Sequence, residues 1–145
     1  MNNQQFLEAF QGRPQPPIAV LLGARAVAFD ISAGRAEIEF FGRPDFVNGF
    51  GSLQGGILTA MLDNAMYSAA MAASNMKVLV PTLEIKTSFI APAMPGRILG
   101  VGEVLRLGRA VAFLAGRLSD ARGTPVATAS ATCRVLVAPG EEKTP

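Results

Sequence analysis

Between residues 55 and 73 the chain reads GGILTAMLDNAMYSAAMAA, an apolar run broken by one carboxylate, Asp63. A helix apolar on nearly every side is one the rest of its own fold surrounds. The run has the length of a membrane span, but Asp63 would then lie near the bilayer centre at a cost of ~3 kcal/mol. The strand-like segments that flank it give a better home: a sheet wrapped around a buried helix. Most of what this chain can become follows from that one element.

Two strand-like runs precede it, residues 18–30 and 35–41, joined by the turn-rich DISAGRA as a hairpin. GRPDFVNGFGS is loop. Ser74 and Asn75 close the helix, and four further strands are expected at roughly 79–91, 97–107, 110–119 and 124–137. Their turns, APAMPG, LGRA and DARGTP, carry Gly or Pro where tight turns want them. In the last strand Ala127, Ala129, Ala131, Cys133 and Val135 share one face, and Thr128, Ser130, Thr132 and Arg134 the other. A face of small residues lets something bulky lie close, and the helix at 55–73 is the expected occupant. With no βαβ repeat, the sequence predicts an α+β fold with an antiparallel sheet of about six strands around one central helix.

Residues 3–12, NQQFLEAFQG, read as a short amphipathic helix ended by Gly12 and broken by RPQPP. The expected organisation is therefore an N-terminal helix and linker over 1–17, a single domain over 18–138 and a flexible tail over 139–145. The segment 18–29, IAVLLGARAVAF, is too short to span a bilayer, contains Arg25 and follows Glu8, so it makes a poor signal peptide.

Charge and composition exclude several functions. The net charge of +2 comes from ten Arg and three Lys with no basic run longer than two residues, which argues against a nucleic-acid surface. Scattered arginines still suit an anionic small molecule. A single cysteine, Cys133, allows no disulfide within the chain, and a reducing cytoplasm is the expected compartment. Its place in an alternating strand reads as a small buried hydrophobe. The chain has no histidine. That removes Ser–His and Cys–His nucleophilic catalysis and any His-ligated metal. No metal or other cofactor is expected, so acid–base chemistry must use carboxylates, Tyr67 or backbone dipoles.

The start of the central helix brings those dipoles into play. A helix N-terminus leaves backbone N–H groups unpaired and carries partial positive charge. Gly55 and Gly56 let a ligand atom approach that bare backbone, where a developing oxyanion would be stabilised. Asp63 lies two turns further in, ~12 Å along the axis. One copy of the helix cannot present both groups to one carbonyl; two antiparallel copies in a dimer can. Thr59, Asp63 and Tyr67 fall on one stripe at i, i+4 and i+8. The plainer readings stand beside these: a flexible helix entry, a turn at Asn48–Gly49, and a structural Asp63 tied to Thr59 or Tyr67.

The pattern N-x5-QGG-x5-LDNA, followed by PTLEIKTSFIAPAMPG, resembles the hotdog-fold acyl-CoA thioesterases of the phenylacetate-degradation (PaaI-like) type. The resemblance runs from LLGARA at 21–26 to RVL at 134–136. It implies that Asp63 is the catalytic carboxylate, a general base or a nucleophile, and that the Gly55 N–H of the partner subunit polarises the thioester carbonyl. It implies a place for Asn48 near that carbonyl. Thr82, with a one-residue shift, falls where related enzymes often carry a Ser or Thr that holds the water. Gly56 would contact the substrate, and Met61, Met66 and Tyr67 would line the acyl pocket, with a medium-chain or aryl acyl group favoured. Lys86, Arg97, Arg106 and Arg109 are the cations available to the CoA phosphates. Homodimers, often paired into tetramers, are the implied assembly, with no nucleic-acid or membrane partner. One position departs from the pattern: Gln54 stands where the family carries His. Gln hydrogen-bonds but cannot become cationic, so activity is expected to survive with a changed rate or pH profile. Hotdog hydratases and dehydratases rely on a catalytic His and are disfavoured; a non-catalytic acyl-CoA-binding protein is the alternative.

Overall fold

The structure, a computed structural model, describes residues 1–141. The outer part of the expected tail, 142–145, lies outside the described residues. In chain order the elements are α1 (Asn3–Gln11), α2 (Pro17–Leu21), β1 (Arg25–Asp30), β2 (Arg35–Gly42), α3 (Gly55–Ala73), β3 (Val78–Leu79), β4 (Thr82–Phe89), β5 (Gly96–Leu107), β6 (Val111–Asp120), β7 (Pro125–Arg134) and β8 (Leu136–Val137). Six strands form one antiparallel sheet in the order β1-β2-β5-β6-β7-β4, and β3 with β8 forms a small second ladder.

The central helix is where its sequence puts it. Leu58, Met61, Leu62, Ala65, Met66 and Ala69 are buried in the core together with Ile38, Phe40, Ile98, Leu114 and Leu118 from the sheet. The small inward face of β7 is as expected, with Ala127, Ala129, Ala131 and Cys133 buried and Thr128, Ser130 and Arg134 exposed. The helix nevertheless makes its closest approach elsewhere, over Gly100 and Gly102 of β5. A Cβ on Gly102 would lie 2.1 Å from the Ala65 carbonyl oxygen. Backbone meets backbone there, and the position of α3 is set by a strand that reads as unremarkable.

Three expected boundaries are corrected. Residues 18–30 are not one strand: Pro17 starts the short helix α2, suiting the N-terminal turn of a helix where no N–H is needed, and Gly23 at φ +61° turns the chain into β1. The strand expected at 79–91 divides at Pro81, between β3 and β4. That at 124–137 divides at Val135 into β7 and β8, so Val135 does not continue the β7 alternation. Proline has no N–H for a ladder, and the Pro81 carbonyl instead accepts from the Arg134 N–H at 2.9 Å.

α1 is capped by a reciprocal pair, Asn2 accepting from the Gln5 N–H and Gln5 from the Asn2 N–H. It is attached to β1 by an aromatic cluster, the fully buried Phe6 meeting Phe29 edge-on with ring centroids 4.8 Å apart and Phe10 lying 4.9 Å from Phe29. The N-terminal helix thus shares the domain's core.

Candidate active site

One stripe of α3 is left only half covered: Thr59, Ala60, Asp63, Asn64 and Tyr67. All of these but Thr59 floor a cleft of about 530 Å³ whose walls include Leu79, Pro81 and Thr82. The β3–β4 break at Pro81 therefore has a consequence for the site, because it brings Thr82 over the helix. The Thr82 hydroxyl donates to Asp63 Oδ1 at 2.7 Å. Among the described residues no cation pairs with Asp63, and its Oδ2 has no hydrogen-bond partner. The carboxylate is held by one oxygen and free at the other, the condition for taking a proton from a water molecule.

The structural partners expected for Asp63 are not the ones it has. Thr59 donates instead to Thr87 of β4 at 3.0 Å. Tyr67 lines the cleft one turn along without a hydrogen bond to any described residue. Behind Thr82, Cys133 is buried with its Sγ 3.8 Å from the Thr82 hydroxyl oxygen. Burial pushes its thiol pKa up, the Thr82 contact opposes this, and the Asp63 charge pushes it up further. Cys133 stays a neutral thiol that supports Thr82.

The other expected residues gather at the far end of the helix. Gln54 is the N-cap of α3, its Oε1 accepting from the Ile57 N–H at 3.2 Å. The N–H groups of Gly55 and Gly56 have no partner among the described residues. A Cβ at Gly55 would lie 2.9 Å from the ring of Phe89, which is exposed and free to swing aside. Asn48 closes the loop before the helix: its Oδ1 accepts from the Phe50 N–H at 2.9 Å and its Nδ2 donates to Ser52 at 3.1 Å. Asn48, Gln54 and Gly55 do not line the Asp63 cleft.

Met61 and Met66, expected on an acyl pocket, are fully buried in the core and do not line the Asp63 cleft; Met66 packs against Gly116. Of the expected phosphate ligands, Arg97 is paired with Glu39 at 2.7 Å. Lys86, Arg106 and Arg109 are exposed and have no ion pair among the described residues. Asn64 and Leu136 escaped the sequence reading. Asn64 is the polar neighbour of Asp63 in LDNA and could have been found as a further break in the apolar run; Leu136 carries no such signal.

Since the Gln54 side chain satisfies one free N–H at the helix start, its loss has a defined cost. Gln54→Ala should lower stability by about 1 kcal/mol, read as a shift in the urea midpoint with an unchanged slope, whereas Gln54→Asn should retain most of it.

The model of the thioesterase superfamily matches residues 50–127. Among solved structures, a phenylacetic acid degradation-related protein from Ralstonia eutropha JMP134 superposes with TM-score 0.82 at 36% identity, covering 89% of this chain and 98% of that one. A thioesterase family protein from Silicibacter pomeroyi gives TM-score 0.78 at 27% identity, over 93% and 98%. The PaaI protein of E. coli, from the phenylacetic acid degradation operon, shares the fold with TM-score 0.78 at 18% identity, over 92% of each chain. Comparison with curated proteins finds no match. The chain belongs to the thioesterase superfamily, in its PaaI-like hotdog branch, and is a thioester hydrolase. Among the described residues no helix is long and apolar enough to cross a membrane.

Proposed function

We propose that the protein hydrolyses acyl-CoA thioesters to the free acid and CoA, medium-chain or aryl acyl groups being favoured, at a site shared between two subunits of a homodimer. The observation that carries the reading is the half-free carboxylate of Asp63, set on an apolar helix and aimed into a cleft by Thr82. As a base, Asp63 takes a proton from water while the hydroxide attacks the carbonyl carbon. As a nucleophile, it forms a mixed anhydride that water then opens. In both routes negative charge develops on the carbonyl oxygen, and an unpaired N–H at a helix start stabilises it. Collapse of the intermediate expels the CoA thiolate, which ends protonated as the thiol. A cytoplasmic location fits the single cysteine and a CoA substrate.

Distance supports the dimer. Gly55 and Asp63 are ~12 Å apart along one helix, so the N–H that meets the carbonyl comes from a second copy. The outer edge of β4 is unpaired, and Leu83, Phe89 and Ile90 on or beside it are exposed. An apolar open edge of this kind is a template for pairing with another strand. Antiparallel β4–β4 pairing would bring the two α3 helices side by side in opposite directions. Asn48 then acts through the loop it closes, positioning the helix start, while Arg106 and Arg109 are offered to the CoA phosphates.

Mixed dimers test this directly. Gly55→Pro keeps a residue tolerated at the first helical position and removes the N–H. Each variant alone, Gly55→Pro or Asp63→Asn, should be nearly inactive. Mixed after dissociation and reassociation, they should regain about a quarter of wild-type thiol release, since half the dimers are mixed and each holds one intact site. No recovery in mixtures shown to contain heterodimers would place both groups in one chain or in no common site. If the wild type bound acyl-CoA and hydrolysed none, Gln54 would become the important departure, and the protein would be an acyl-CoA binder.

A further inference from the structure

The cleft at Asp63 has a neighbour. Pro16, Asn64 and Tyr67 also line a second, larger cleft of about 700 Å³, running beneath the N-terminal segment and against α3 and β1. Its roof is the proline-rich stretch after α1. Two side-chain hydrogen bonds, from the end of α1 and from that stretch, pin it to the start of β1: Gln11 Nε2 donates to the Ala26 carbonyl and Gln15 Nε2 to the Ala24 carbonyl, both at 2.9 Å. Volumes of this size accommodate small-molecule ligands. The wall common to both clefts is polar at two points. The Tyr67 phenol and the Asn64 carboxamide make no hydrogen bond to any described residue, whereas the adjacent Ser68 hydroxyl is already committed to the Asn64 carbonyl at 2.8 Å.

We infer that the cleft beneath the N-terminal segment is the acyl chamber of the thioester site, and that it takes an acyl group bearing a hydroxyl or carbonyl oxygen at the level of Tyr67 and Asn64. The inference rests on the hydrolase reading for the position of the thioester at Asp63. Tyr67 stands one helical turn beyond Asp63, ~6 Å along the axis. An extended acyl chain leaving the carbonyl toward Pro16 therefore reaches the phenol a few carbons from the thioester. A wholly apolar chain would cover Tyr67 and Asn64 and leave their polar atoms dry and unpaired, a loss that an oxygen at that level avoids.

A matched pair of substrates, ω-hydroxyhexanoyl-CoA and heptanoyl-CoA, isolates the oxygen at constant length. The wild type should favour the hydroxylated substrate about tenfold in kcat/KM, in line with one hydrogen bond gained. Tyr67→Phe combined with Asn64→Leu should bring the ratio close to one. Ala24→Leu, on the chamber wall, should lower kcat/KM for both substrates relative to acetyl-CoA. A wild-type ratio at or below one, or a ratio that the double variant leaves intact, overturns the inference. Calorimetric dissociation constants of the same two ligands on Asp63→Asn should show the same preference. Should the wild type hydrolyse neither, the hydrolase reading fails and the affinity ratio alone decides the chamber.

Discussion

Asp63→Asn should lower kcat for acyl-CoA hydrolysis by about a thousandfold, within the range of a positioned proton acceptor, while acyl-CoA still binds. The change keeps the volume of the side chain and leaves an amide oxygen to accept from Thr82, so the local geometry has no reason to alter. What disappears is the oxygen that can take a proton or attack a carbonyl. Thr82→Val, which removes the bond to Asp63 Oδ1 and leaves the carboxylate intact, should cost only about tenfold, the scale of one lost hydrogen bond. Steady-state thiol release together with calorimetric binding to each variant separates the two roles. A Thr82→Val loss as large as that of Asp63→Asn would move the principal role to Thr82. An Asp63→Asn enzyme with more than a tenth of wild-type turnover would remove the carboxylate from the chemistry altogether. Single turnover in ¹⁸O-labelled water distinguishes base from nucleophile: label entering the Asp63 side chain requires the anhydride.

Parts of this arrangement are legible in the residues and parts are not. A carboxylate in an apolar helix is conspicuous because burying it is costly, and a helix opening on two glycines is conspicuous because it leaves its N–H groups bare. Both are local properties. The partner of Asp63 is not local: Thr82 reaches it only because Pro81 breaks a strand that otherwise reads as continuous. The same limit explains why Thr59 was an expected partner, since i, i+4 spacing places residues on one stripe without telling which strand lies over it. Met61 and Met66 have the composition of a pocket lining and the placement of core, a difference decided by the side of α3 that the sheet covers. Hydropathy cannot report that side when the helix is apolar all round. The aromatic attachment of α1 was hidden for a related reason, because Phe29 meets Phe6 across the chain and not along it.

The largest expected effect on stability comes from a residue that no sequence signal singled out. Gly102→Ala should destabilise the protein by about 3 kcal/mol, the upper part of the range for overpacked cores, and lower Tm by roughly 6–12 °C for a domain of this size. The new Cβ would lie 2.1 Å from the Ala65 carbonyl oxygen and 2.8 Å from the Met66 nitrogen, all backbone atoms that no rotamer change can move aside. Either α3 withdraws or β5 bends outward. Since Ala65 is two residues from Asp63, withdrawal also moves the carboxylate relative to Thr82, and kcat should fall together with Tm. Gly116→Ala provides the graded comparison: its Cβ would meet the Met66 side chain at 3.0 Å, and a flexible thioether can yield, so about 1 kcal/mol is expected. Gly49→Ala is the control, for nothing lies within 4 Å of its Cβ position and its φ is not positive. Thermal unfolding of the three variants should rank them Gly102, Gly116, Gly49 from most to least damaged. If Gly102→Ala melted with the wild type, the helix would not rest on β5 at that point, and the position assigned to Asp63 would have to change with it.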